Sequence, residues 1–550
     1  MFQMMALAGK YVYLALIVLF TAMGFYLYLR KPSASVCREV YSYQAVFIVL
    51  FNVMSYVLII MNAWNASKTS QAALEAAREG QSLSQFLSPL MSHLPGWFTE
   101  SMLVTLGLYA LIMIFMYILL ATVYKHTNRL LWNCVYMLLS ISFVVLYRLD
   151  PDVCRRQIYW MALGFAVSCI VMLFFKGHWI WKIPSWFFLG LSLALIALPF
   201  IFPSPAYGAL NWVEIGPVSF QPSEFVKLTF AFFLAIVYTW DKKFRAVAYA
   251  GTVTIVLALI LLKQNDLGGL LIFGILAWMM TYDYIGKAYV LWIGMALVAA
   301  AGFAAYKLVS HVAVRFDIWM DPWKDVNGQG YQIAQSLFAI VNGGWFGLGL
   351  YQGYPEYIPV RSTDMIFSII ANEFGTIFAM VLVMIYLLMF LFVMETGSRE
   401  RNTIRRNLLI AFGVLFILQT FIIVGGVIKL IPLTGVTLPF VSYGGSSLLS
   451  NFITIAIIEA VILLYRKDKE EVRQYERERE LQQRAQWQAQ QAERRTAGLA
   501  AGRAGAQYSN SQQAGAARQQ PAPDASGKQT SKRRKKGQGQ LKPFDFDDPF

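Results

Sequence analysis

Charge is scarce in this chain of 550 residues: Asp, Glu, Lys and Arg make up 14% of it, against 57% hydrophobic and 15% aromatic residues. So little charge excludes an ordinary soluble globule. Cysteine is equally thin. The four present, Cys37, Cys134, Cys154 and Cys169, show no C-x-x-C spacing and mostly fall in or beside apolar runs, so they read as packing residues. The four histidines, His93, His126, His178 and His311, have no partner three or four positions away, which leaves a zinc site without its ligands. No Gly-rich phosphate loop, G-x-S-x-G or H-E-x-x-H occurs, and the usual motifs of soluble enzymes go with them.

What the chain has is long apolar runs. Stretches of the ~20 residues needed to cross a bilayer occur near 10–29, 43–63, 98–123, 129–147, 158–175, 180–201, 220–241, 246–263, 267–285, 287–309, 364–395, 405–430 and 441–465. The expectation is a polytopic, all-α membrane protein. The first run is followed by "LRKPSASVCREV" with no small-residue cleavage site at its end, and reads as an anchor rather than a signal peptide. With the N-terminus outside, the short inner loops hold most of the basic residues, among them Arg30, Lys31, Lys125, Lys242, Lys243, Arg405 and Arg406. That places the C-terminus inside, in the cytoplasm. Arg148, Arg155 and Arg156 fall on the outer side and run against the pattern.

Two long outer segments are expected. Residues 64–97 alternate small and charged residues and suit a short interfacial helix, while 310–363 form the largest extracytoplasmic loop. After 465 the composition changes: residues 466–550 carry 18 Lys and Arg against 11 Asp and Glu. The first part of this tail suits a charged helix, and the Ala-, Gln-, Gly- and Ser-rich remainder is expected to be disordered. Its "SKRRKK" at 531–536 fits anionic lipid at the inner surface better than nucleic acid. The terminal "FDFDDPF" has the look of a docking peptide.

Ionisable residues in or beside spans are costly, ~2.5 kcal/mol or more at the bilayer centre, and call for a pairing or a function. "QPSEFVKL" puts Glu224 and Lys227 three apart on one helical face. They can neutralise one another or line a site for an anionic, amphiphilic ligand. In "KQNDLGG", Lys263, Asn265 and Asp266 form a polar hinge, Lys263 being free to face a phosphate, and Gly268 and Gly269 permit close helix approach. Within 310–363, "DPWKDVNGQG" reads as consecutive turns and "YQIAQSLFAIVNGG" as a short amphipathic helix closed by glycines. The loop ends at Arg361 and Asp364, where the chain re-enters hydrocarbon. "IPLTGVTLPFVSYGGSSLLSNF", 431–452, breaks the helical pattern with Pro and Gly, which is tolerated at depth only inside protein or along a cavity. The hydroxyls of Ser442, Tyr443, Ser446 and Ser447 there suit phosphate or sugar oxygens.

These stretches, "WVEIGPVSFQPSEFVKL", "QNDLGG", "DPWKDVNGQGYQIAQS", "GGWFGLGL", "RSTDMIFSIIANEFG" and "IPLTGVTLPFVSYGGSS", stand in the order and spacing of the SEDS family, the shape, elongation, division and sporulation proteins. The chain resembles that FtsW/RodA/SpoVE group over roughly 129–465. The resemblance implies a ten-helix bundle at 129–465, about three extra N-terminal helices in 1–128, and an accessory tail at 466–550. It implies a peptidoglycan glycosyltransferase of bacterial cytoplasmic membranes, polymerising lipid II by inverting transfer for division, elongation or sporulation. A class B penicillin-binding protein and other division or elongation proteins are the implied partners. The family's essential Asp corresponds to Asp364, with Glu224, Lys227, Asp266 and Arg315 lining a polar cavity. Joining sugars with a pyrophosphate-lipid leaving group needs a base, here Asp364, and cations for the departing charge. Lys227, Lys263, Arg315 and Arg361 are the candidates, alone or with a divalent ion such as Mg or Mn. The sequence departs from the family pattern at Asn211, Asn265 and Val360, where Arg, Pro and Glu are commoner. A lipid-linked-precursor flippase and a non-catalytic scaffold are the rival readings. A flippase should carry polar residues through the full depth of the bilayer, whereas here they gather near one face.

Overall fold

The computed structural model describes residues 2–75, 96–124, 126–177, 179–202, 204–206, 209–215 and 218–513. Lys125, His178, residues 76–95 with His93, and the tail beyond 513 with "SKRRKK" and "FDFDDPF" lie outside them.

Three helices come first, α1 (Phe2–Arg30), α2 (Ala34–Glu75) and α3 (Gly96–Thr122). Seven follow: α4 (Arg129–Leu149), α5 (Pro151–Phe174), α6 (Ser185–Ile201), α7 (Pro222–Val237), α8 (Lys243–Lys263), α9 (Leu267–Ile285) and α10 (Tyr289–Leu308). The long loop holds α11 (Ser310–Met320) and α12 (Tyr331–Gly343), and the chain continues through α13 (Ile366–Phe374), α14 (Thr376–Arg399), α15 (Thr403–Val427) and α16 (Gly445–Gln513). Each expected apolar run falls largely on helix. Among the described residues 11 helices are long and apolar enough to cross a membrane. The two runs that fall short are α6 and α7, of 17 and 16 residues.

Helix α4 is covered on every side, its apolar stretch wholly buried. On one side it is covered by the N-terminal helices, which are stitched to it by side-chain hydrogen bonds. Asn52 donates to Ser140 at 2.8 Å, Tyr109 to Ser140 at 3.3 Å, and Asn133 to Gln44 at 3.2 Å. Where hydrocarbon is the alternative environment, such bonds and close packing hold helices together.

Three expectations change. The run 364–395 is not one helix: Gly375, at φ +96°, separates α13 from α14. The break admits residues 344–345, whose carbonyls accept from Thr376 N at 3.0 Å and Ile377 N at 3.2 Å. A small antiparallel sheet, β1 (Ser204–Ala206), β2 (Ala209–Ile215) and β3 (Val218–Phe220), stands between α6 and α7. Two of the strands have only three residues, which leaves too little alternation to read. Finally, helix continues to Gln513, so disorder does not begin after the first charged part of the tail. Ala, Gln, Arg and Glu are strong helix formers, and over 466–513 they outweigh the scattered glycines. By contacts the chain falls into two units, residues 1–463 and a second from Leu464.

Candidate functional site

The non-helical chain between α15 and α16 is held from four directions, by side chains of three helices and by the backbone of residues 362–363. Ser442 Oγ donates to Thr363 O at 2.7 Å and accepts from Leu438 N at 2.9 Å, and Tyr443 N donates to Ser362 O at 2.8 Å. Gln157 Nε2 donates to Ser442 O at 3.1 Å, Tyr386 OH to Pro439 O at 2.6 Å, and Ser142 Oγ to Val441 O at 2.8 Å. Backbone groups that a helix would have satisfied are thus met within the protein. Residues 362–364 are pinned against 435–443 as a result.

Asp364 sits in the turn before α13. Gly435, at φ +76°, lies beside it, so close that a Cβ there would stand 3.6 Å from Asp364 Oδ2. Burial raises the Asp364 carboxyl to about 6, opposed by a hydrogen bond from Thr363 and by the Arg315 charge. Arg315, from α11, donates to Leu433 O at 3.0 Å. Burial lowers its pKa, while the charges of Asp364 and Asp266 work the other way. A partly desolvated carboxylate with a raised pKa, within the field of a guanidinium, can act as a general base.

Asp266 belongs to the same neighbourhood with a different task. It caps α9, accepting from Gly269 N at 2.8 Å, and also takes bonds from Ser223 Oγ at 2.9 Å and Gln221 Nε2 at 3.2 Å. It therefore ties the start of α7 to the start of α9. Gly268 brings α9 onto the 434–436 segment, where a Cβ would be 3.1 Å from Thr434 O. Ser446 Oγ accepts from Gln221 N at 3.0 Å and joins α16 to the same corner.

Glu224 and Lys227 form a buried ion pair of 2.7 Å. Lys227 also borders a small cavity of mixed lining, with Leu415, Phe416, Gln419, Ser450 and Asn451. Arg361 reaches Pro355 O at 3.4 Å, and the Tyr443 ring lies under Arg156, 5.8 Å away. Lys263 is drawn aside, its ammonium lying over the Phe200 ring at 5.5 Å. Among the described residues no three His, Cys, Asp or Glu side chains converge as a metal site. Asp266 commits its oxygens to three protein donors.

The sequence reading passed over one pair. Glu373, at the far end of α13, is buried and accepts from Arg148 Nε at 3.1 Å, while Arg148 NH2 donates to Gly353 O at 3.2 Å. Arg148, an oddity in the charge count, is there to meet this carboxylate. The rule that singled out Glu224 applies equally to a glutamate in "IIANEFG", and would have found it.

A family profile described as cell cycle protein, covering FtsW, RodA and SpoVE, matches residues 126–467. Among similar proteins, the peptidoglycan glycosyltransferase RodA of Mycobacterium tuberculosis (strain CDC 1551 / Oshkosh) is 32% identical over 370 residues, 61% of this chain and 78% of that one. The probable peptidoglycan glycosyltransferase FtsW of Bacillus subtilis (strain 168) is 36% identical over 318 residues, 53% of this chain and 77% of that one. A solved structure titled "Structural coordination of polymerization and crosslinking by a peptidoglycan synthase complex" superposes with a TM-score of 0.52 at 25% identity, covering 62% of this chain and 98% of that one. With more than half of its length matched, and with the site built from the matched part, this multi-pass membrane protein belongs to the FtsW/RodA/SpoVE family.

Proposed function

We propose that this chain, a peptidoglycan glycosyltransferase, polymerises lipid II at the outer face of the cytoplasmic membrane with Asp364 as general base. The observation that carries the assignment is the half-buried Asp364 carboxylate, raised to about 6 and opposed by Arg315. In the reaction the acceptor sugar hydroxyl attacks the anomeric carbon of the donor. The new glycosidic bond forms as the bond to the pyrophosphate-lipid breaks, with inversion at that carbon. The hydroxyl proton passes to Asp364, and the departing negative charge is steadied by Arg315 and Arg361. Glu224 with Lys227, and the hydroxyls of Ser442 and Ser446, hold the walls of the substrate site. The core at 129–465 supplies this chemistry, while 1–128 and 466–550 are additions to it. The N-terminus lies outside and the C-terminus in the cytoplasm, on the loop charges read above. A class B penicillin-binding protein that cross-links the new strand is the proposed partner, since the solved structure similar to this chain is of a complex that polymerises and cross-links.

Purified protein with labelled lipid II, with and without a cognate penicillin-binding protein, tests this. Glycan chains from the native protein that vanish with Asp364→Ala support it. Native-rate polymerisation by Asp364→Ala overturns the base assignment. Movement of lipid II across vesicles with no polymer in any condition favours a flippase.

A further inference from the structure

The family match begins at residue 126, yet helix α1 lies against residues 346–351 and the end of α13, the helix that Asp364 precedes. The Phe2 ring meets Tyr351 at 6.3 Å, the Tyr11 ring meets Phe346 at 5.7 Å, and the Tyr13 ring meets Phe374 at 5.2 Å. Gly349, at φ +108°, comes so near α1 that a Cβ would stand 2.9 Å from Ala6 O. Lys10 Nζ donates to Gly347 O at 2.8 Å. Further along, Gly24 leaves room for Leu388, and Lys31 pairs with Glu395. α1 therefore runs beside α14 in the same direction, its first half pressed on residues 346–351.

That loop is bonded in turn to the end of α13. Leu348 N donates to Asn372 O at 2.9 Å and Gly349 N to Glu373 O at 2.8 Å. α13 has nine residues, and Asp364 stands in the turn that starts it. A lysine inside a spanning helix is costly unless it meets a partner. Lys10 finds one in the carbonyl of a loop that must be held still.

We propose that α1 is a brace that sets the position of Asp364 through residues 346–351 and α13, with Lys10 as its positioning residue. The proposal rests on the reading of Asp364 as the base. It gives this N-terminal helix, outside the family match, a part in catalysis.

The test uses full-length protein in detergent, with lipid II turnover and hydrogen–deuterium exchange measured on Lys10→Ala, Lys10→Arg, Tyr11→Leu and Lys31→Ala. Lys10→Ala should raise exchange in 346–351 and 366–374 and lower kcat roughly tenfold at little-changed KM. Lys10→Arg should restore both. Tyr11→Leu, which removes the ring's contacts with Phe346 and with the Lys10 ammonium, should repeat the pattern at smaller amplitude and serves if Lys10→Ala does not fold. Lys31→Ala, at the other end of α1, should leave kcat at the native value. Unchanged exchange in Lys10→Ala, or raised exchange with native kcat, overturns the brace. Asp364→Asn is assayed alongside them: if it polymerises at the native rate, the base reading fails instead, and the exchange pattern still reports on the contact between α1 and the loop.

Discussion

Titrating the acid limb of polymerisation interrogates residue 364 directly. Burial lifts the Asp364 carboxyl from 3.8 to about 6. As a base it is then about nine-tenths ionised at pH 7 and about one-tenth at pH 5, so kcat/KM for lipid II should fall about tenfold per unit below pH ~6. The Arg315 charge holds that value down. Arg315→Ala should therefore move the limb to higher pH and cost more rate at pH 6 than at pH 8. Stability carries the opposite sign. Because the folded-state value lies above the unfolded one, the protonated form favours folding; the benefit is complete below pH ~3.8 and lost as pH rises through about 6. At pH 7 the ionised carboxylate costs the folded state up to about 3 kcal/mol, less where solvent reaches it. Asp364→Asn should thus abolish polymerisation and stabilise the protein at pH 7 by about 1–3 kcal/mol, with little change below pH ~4. Gel-resolved glycan chains from pH 4.5 to 8, with melting in the same detergent, measure both. An acid limb unmoved by Arg315→Ala, or an Asp364→Asn variant as active as native, refutes the reasoning.

Removing one partner of the buried Arg148–Glu373 pair should cost about 3–5 kcal/mol, and the double replacement Arg148→Met with Glu373→Gln should cost less than either single one; melting of the three variants checks this. Val360, a β-branched residue at φ +51° and about half exposed, holds an unfavourable backbone. Val360→Asn should stabilise by about 1 kcal/mol, read as a higher melting temperature with native polymerisation. Deleting 483–550 should leave lipid II polymerisation in detergent intact, and a loss of rate in that truncation would show the tail to be more than accessory.

How much was legible follows from which physics a local sequence window carries. Helices announced themselves through long apolar runs, because bilayer thickness fixes their length whatever they pack against. Asp364, Asp266, Glu224 and Lys227 stood out because charge in an apolar run is rare enough to need a cause. Partners did not. Nothing near Arg148 indicates that Glu373, 225 positions away, will meet it, and nothing in Lys10 points to Gly347. The break at Gly375 was hidden because a glycine in an apolar run is compatible with unbroken helix until something must pack against its backbone. Most informative are the non-glycine residues with positive φ. Five of them, Asn265, Tyr351, Val360, Lys429 and Phe440, lie in segments that build or brace the site, and Lys31 alone follows α1 at the opposite end. Such conformations persist only where surrounding contacts over-determine them. Here those contacts are the Ser442, Tyr443 and Gln157 bonds and the press of α1. Local preference yields to long-range contact around Asp364, as expected where a fold holds a reactive group in place against its own backbone preferences.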